Sequence, residues 1–303
     1  MPLKHALYFS KNLPIKNNSA ACERVFSMID KLTRNNYYVT FIAPSNKQKK
    51  DLVMYSNVRL IVIDPNDQEA MRNVFRGFKS IPEYAIFDTF VAEEFYSHYV
   101  YKTFPATLRI LDTQDLHSLR KCREDKYNQC IKEQNTIKDL RDILKEKPDP
   151  SQSIFARELS SIYRSDLAIL VSDYERLLLQ DRFNVYHTLT SRFTYAEDSY
   201  KERNCKLTED EFSKRKNFVW LGNFMHPPNV ASLRYLLNQV WPQVRRELPK
   251  AELHIYGSNF SKDFEDIEKH PNVKKKNLMK DIAELSKYRC MLAPLVYGAG
   301  IKG

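Results

Sequence analysis

The sequence predicts an α/β protein built as two doubly wound, parallel-sheet domains. Three observations predict it. Short apolar runs alternate with helical patterns along nearly the whole chain. Several of the runs are continuously apolar, as expected of strands covered on both faces by helices. A polar, charged stretch from Tyr195 to Lys216 separates two such series.

The strands of the first series are expected at Ala6–Phe9, Tyr38–Ala43, Val58–Ile63, Tyr84–Phe87, Thr107–Leu111 and Leu167–Val171. Those of the second are expected at Phe218–Leu221, Leu253–Tyr256 and Cys290–Leu295. A helix over Ala20–Leu32 places Val25, Met28, Ile29 and Leu32 on one side. Another begins after Pro227-Pro228, with Asn229 as its cap. Pro242 should kink it near Trp241, because proline has no N–H to continue the ladder. Leu119–Lys147 is strongly charged and reads as a solvated helix ending in the turn at Pro148-Asp149-Pro150. The spacing divides the chain into residues 1–205 and 206–303. Three expected strands are few for a doubly wound sheet, so the second domain reads as incomplete and its apolar surface as partly uncovered.

Composition bounds the rest. The chain has 303 residues, 43% hydrophobic and 28% charged, which is globular composition rather than disorder. No apolar run approaches the length of a membrane span, and no leader pattern precedes the first strand. Cys22, Cys122, Cys130, Cys205 and Cys290 are odd in number and lack metal-ligand spacing, which suits reduced thiols in the cytoplasm. The net charge of +10 suits an anionic ligand or surface, peripheral membrane contact included. Basic and acidic residues are interspersed and no nucleic-acid motif occurs, so nucleic acid is a poor candidate partner.

Two strand ends gather chemistry. Gly298-Ala-Gly-Ile-Lys-Gly303 follows the last strand. Glycines let a backbone turn with positive φ and approach a ligand closely. Amides in such a turn bind anions, and Lys302 adds a charge suited to a diphosphate. The same residues can also form a plain tight turn with a solvated lysine. Asp112, Asp115, His117 and Arg120 follow the fifth strand, where open α/β sheets bind ligands. Gly222 and the pair Gly257-Ser258 close two further strands, either as turns or as the rim of a nucleotide site.

In this order these segments resemble family 4, group 1, of the glycosyltransferases. The resemblance rests on the glycine-ended strand near His226-Pro-Pro-Asn229, the helix with Trp241-Pro242, Ile255-Tyr-Gly-Ser258, and Ala293-Pro-Leu295 before the glycine turn. In the first domain it rests on Asp112–Arg120, Tyr163–Ala168 and Val171–Glu175. It implies a GT-B fold and a retaining transfer, without metal or cofactor, from a UDP- or GDP-linked sugar held by the second domain. The acceptor would be a hydroxyl of a glycan, lipid or small molecule held by the first. By the same resemblance Gly298, Gly300 and Lys302 contact the donor diphosphate, Gly222, Gly257 and Ser258 line the nucleotide site, and His117, Asp112 and Asp115 serve the reaction centre. Departures are Asn17–Ala21, where the family often has a glycine pair, and Val296, where it often has arginine. They leave a non-catalytic binding subunit, or an inactive C-terminally truncated fragment, as the alternative.

Overall fold

A computed structural model describes residues 3–15, 19–44, 56–134, 139–192, 209–260, 264–279 and 282–301. Two parallel sheets organise them. The first has seven strands: β1 (Lys4–Ser10), β2 (Tyr37–Ala43), β3 (Val58–Val62), β4 (Tyr84–Asp88), β5 (Leu108–Asp112), β6 (Leu167–Leu170) and β7 (Thr188–Thr190). They lie in the order β3-β2-β1-β4-β5-β6-β7, the doubly wound order of dinucleotide-binding folds. The second sheet has four: β8 (Lys216–Asn223), β9 (Leu253–Ser258), β10 (Val273–Lys275) and β11 (Tyr288–Met291), in the order β10-β9-β8-β11. Among the described residues it repeats the first four positions of the first sheet.

Alternation along β1 explains how the first sheet is covered. Leu7 and Phe9 face one core, with Phe9 stacked on Phe87 and Tyr96. Ala6 and Tyr8 face the other, with Val25, Phe26 and Ile29 of helix α1 (Ala20–Arg34). Ser19 caps α1 by accepting from the Cys22 amide at 3.2 Å. On the first face lie α2 (Gln68–Arg76), α3 (Thr89–Thr103), α6 (Ser153–Arg164) and α7 (Asp173–Phe183). In the second domain Trp220, Ile255, Leu233, Trp241 and Phe264 form the core beneath one face of its sheet.

Three expectations change. The helix after β8 starts at Pro227, not at Asn229: His226 is its N-cap, and Asn229 inside the first turn donates back to the Asn223 carbonyl at 3.1 Å. Proline at the first helical positions needs no amide partner, so the helix can begin there. The last strand is Tyr288–Met291, earlier than Cys290–Leu295, because Pro294 cannot donate to a ladder. The charged region after β5 is two helices, α4 (His117–Gln134) and α5 (Leu140–Leu144), and it is not a solvated excursion. Leu119, Cys122 and Ile143 are buried, and Ile143 packs with Ala231, Val296 and Tyr297 of the second domain. The strands β7 and β10 went unforeseen because each is a three-residue sheet edge without an apolar run. Of the polar stretch Tyr195–Lys216 that divides the domains, residues 195–208, with Cys205 and the 205/206 boundary, lie outside those described, while Glu209–Lys214 is a short helix and Lys216 already begins β8.

Candidate functional site

Ligands of open α/β sheets collect at the carboxyl ends of strands, where the order reverses. In the first sheet this is the edge of β1 and β4. Ser10 Oγ donates to Asp88 Oδ2 at 2.6 Å, and Gln114 Nε2 donates to Asp88 Oδ1 at 2.5 Å. Burial pushes the Asp88 carboxyl up to about 6; the Ser10 bond opposes this, and the nearby Asp112 charge adds to it. The next residue, Thr89, holds φ 72°, and Gln114 holds φ 63°. A β-branched residue in that region is strained, a condition that concentrates at functional sites. The Thr89 hydroxyl is buried and makes no hydrogen bond among the described residues.

Asp112 is completely buried beside this cluster. Arg24 of α1 donates to both of its oxygens, at 3.0 and 2.7 Å, and to the Ser191 carbonyl at 2.9 Å. The pair ties α1, β5 and the chain leaving β7 together. Asp115 and His117 stand apart from it on the strand-end loop. His117 Nε2 lies 3.2 Å from Asp115 Oδ1, and Arg120 pairs with the other Asp115 oxygen. Burial works to raise the Asp115 carboxyl, but the His117 bond and the Arg120 charge outweigh it and hold it below the usual range. The His117 ring meets Phe90 edge-on at 5.3 Å.

Two buried glutamates fix this loop from beneath. Glu158 accepts from the amides of His117 and Ser118 at 2.7 and 3.0 Å, placing a carboxylate at the N-terminus of α4. Glu175, 1% exposed, accepts from the Leu116 amide at 2.9 Å. Burial raises its carboxyl to about 7, against the pull of that amide and with help from the Asp115 charge.

The glycine turn of the second domain meets the same loop. Gly298 and Gly300 hold φ 153° and 70°, conformations that favour glycine. A Cβ on Gly300 would lie 3.1 Å from Asp115 Cβ and 3.1 Å from Val171 Cγ2. The Gly300 amide donates to Glu175 at 2.8 Å, and the Gly298 carbonyl accepts from Arg123 at 2.7 Å. Asp115 thus meets Gly300 as well as His117, whereas Asp112, expected to serve the same centre, is completely buried in its pair with Arg24; Lys302 lies outside the described residues. Gly222, Gly257 and Ser258 end β8 and β9 as register partners, Gly222 opposite Gly257 and Asn223 opposite Ser258. Packing accounts for both glycines: a Cβ would strike the Trp220 ring at Gly222, and the Gly222 carbonyl and Phe224 ring at Gly257.

Sequence reasoning did not single out Ser10, Arg24, Asp88, Thr89, Gln114, Arg123 or Glu175. Gln114 and Glu175 lie inside the segments it quoted, and Asp88 directly follows an expected strand.

No protein-family model matches the chain, and no curated protein matches its sequence. Solved structures do match its fold. A glycosyltransferase from Rickettsia africae is 9% identical, with a TM-score of 0.61 over 97% of this chain and 73% of that one. The catalytic domain of starch synthase IV from Arabidopsis thaliana, bound to ADP and acarbose, is 11% identical, with a TM-score of 0.56 over 95% and 76%. HepE of Anabaena, in complex with UDP, is 13% identical, with a TM-score of 0.56 over 93% and 71%. The chain therefore has the GT-B-like fold: Rossmann-like parallel sheets of the kind these proteins share.

Proposed function

We propose that this protein is a family 4 glycosyltransferase that moves a sugar from a UDP- or GDP-linked donor to a hydroxyl acceptor, with retention and without a metal. The observation that carries the reading is the contact between the Gly298–Ile301 turn and the Asp115–His117 loop, each at the carboxyl edge of its own sheet. The nucleotides in the Arabidopsis and Anabaena structures, ADP and UDP, support a nucleotide diphosphate as the leaving group.

In this reading the bond between the sugar carbon and the diphosphate breaks. The acceptor oxygen bonds to that carbon from the same face, and the hydroxyl proton leaves with the diphosphate. Negative charge grows on the diphosphate, and amides of the glycine turn together with Lys302 stabilise it. Gly222, Gly257 and Ser258 line the nucleotide. His117, oriented by Asp115, which Arg120 holds in turn, faces the sugar and the acceptor hydroxyl. Asp112 acts through Arg24, which ties α1 to the chain leaving β7.

Calorimetric titration with UDP, GDP and their sugars tests the reading, followed by turnover with EDTA present and NMR assignment of the product anomer. Saturable binding of one nucleotide, an unchanged anomer and indifference to EDTA are expected. His117→Ala should lower turnover by about two orders of magnitude. Absence of nucleotide binding at millimolar concentration would sink the reading.

A further inference from the structure

The glycine turn belongs by sequence to the second domain, but the first domain holds it. Five consecutive residues show this. Val296 is completely buried in a cluster with Ile143 of α5. The Tyr297 ring meets Tyr127 of α4 at 5.0 Å, and its hydroxyl donates to Glu124 at 3.3 Å. The Gly298 carbonyl accepts from Arg123 Nη1 at 2.7 Å. Ala299 packs against the core of the first domain. The Gly300 amide donates to Glu175 Oε1 at 2.8 Å.

Arg123 and Glu175 differ from the rest in what they cost. They are 9% and 1% exposed, and removing charged groups from water is expensive unless good geometry offsets it. Each divides itself between the turn and a first-domain main chain. The other terminal nitrogen of Arg123 donates to the Leu144 carbonyl at 3.0 Å, next to Ile143. Glu175 Oε1 accepts from Leu116 at 2.9 Å as well as from Gly300. Leu116 lies between Asp115 and His117. One oxygen therefore fixes both the loop that bears His117 and the turn opposite it. Neither segment can shift without losing that shared acceptor, and a buried amide left unpaired is costly. Gly300 adds a steric requirement, since the space where its Cβ would stand is taken by Asp115 and Val171.

We propose that Glu175 and Arg123 are positioning residues that clamp the glycine turn onto the first domain, setting its other amides and the Asp115–His117 loop in one fixed arrangement around the donor diphosphate. The clamp stands on the contacts themselves; its consequence for the donor rests on the proposed transferase function.

Hydrogen exchange by mass spectrometry on the full chain tests it, with UDP titrated into the same samples. Glu175→Ala should speed exchange about tenfold or more in peptides covering 114–118 and 296–301, the scale of one lost hydrogen bond to a charged group. It should weaken UDP by a similar factor. Glu175→Gln keeps an acceptor oxygen and should stay within about threefold of wild type in both readouts. Arg123→Ala should loosen 296–301 and spare 114–118, which tests the clamp from its other end if Glu175→Ala does not fold. Unchanged exchange at 296–301 in Glu175→Ala or in Arg123→Ala would overturn the clamp. Equal loosening across all of β6 and α7 would make Glu175 an ordinary core residue and overturn it too. Undiminished UDP affinity in Glu175→Ala would overturn the positioning role. Failure of wild type to bind UDP would count against a UDP-linked donor, while the exchange pattern would still decide the clamp.

Discussion

Asp88 shows how a single buried carboxyl sets a pH dependence. Burial raises it from 3.8 to about 6 in the folded chain. Between these values the folded state binds more protons than the unfolded state, so the contribution of Asp88 to stability falls as pH rises. It is fully present below about pH 4 and is lost as pH climbs through about 6, a change of roughly 3 kcal/mol. Asp88→Asn keeps both hydrogen bonds if the Ser10 hydroxyl turns to accept. Urea unfolding of the two proteins should therefore show wild type losing ground to Asp88→Asn between pH 4 and pH 7. A gap independent of pH would contradict the assignment. Glu175, raised from 4.5 to about 7, runs in the same direction and extends the window upward.

Elements of the second domain owe their shape to aromatic packing. Trp220 and Phe224 occupy the space where side chains of Gly222 and Gly257 would stand. Gly257→Ala would force a Cβ to 2.5 Å from the Gly222 carbonyl and 2.6 Å from the Phe224 ring. The expected cost is about 1–3 kcal/mol, the scale of an overpacked core, read as a lower denaturation midpoint of the second domain followed by Trp220 and Trp241 fluorescence. An unchanged midpoint would mean that β8 and β9 separate more easily than their register implies. The helix over Trp241 shows a second local device. A π-type turn at Leu236–Val240 joins Pro227–Tyr235 to Trp241–Glu247, immediately before Pro242. Proline removes one amide from the ladder, and the wider turn takes up the break.

Across the whole molecule, the two sheets, alike in their first four strand positions, meet through α4 and α5. Ile143 is fully buried at the centre of that contact, with Ala231, Val296 and Tyr297. Val296, fully buried in this cluster, is apolar core. Ile143→Ala should destabilise the contact by about 2–5 kcal/mol, the usual range for a truncated core aliphatic. Because the contact joins the two sheets, calorimetry should resolve separate melting of the two halves in the variant and closer melting in wild type. Identical traces would show that the domains are coupled elsewhere.

Most strands of both sheets were legible in the chain itself, the central strands β1, β2 and β4 most plainly, because a strand buried on both faces must be apolar wherever it lies. The glycine turn and the polar loop after β5 were legible for a like reason: φ freedom and strand-end chemistry are properties of neighbouring residues. The partners of those residues were not legible. Arg24 meets Asp112 across 88 positions and Glu175 meets Gly300 across 125. No local period records such a pairing. Charge misled most in α4 and α5, where a few apolar residues that join the domains stand among many solvated ones. Only the tertiary structure decided that this face is an interface, because burial there depends on two sheets meeting and not on the helix alone.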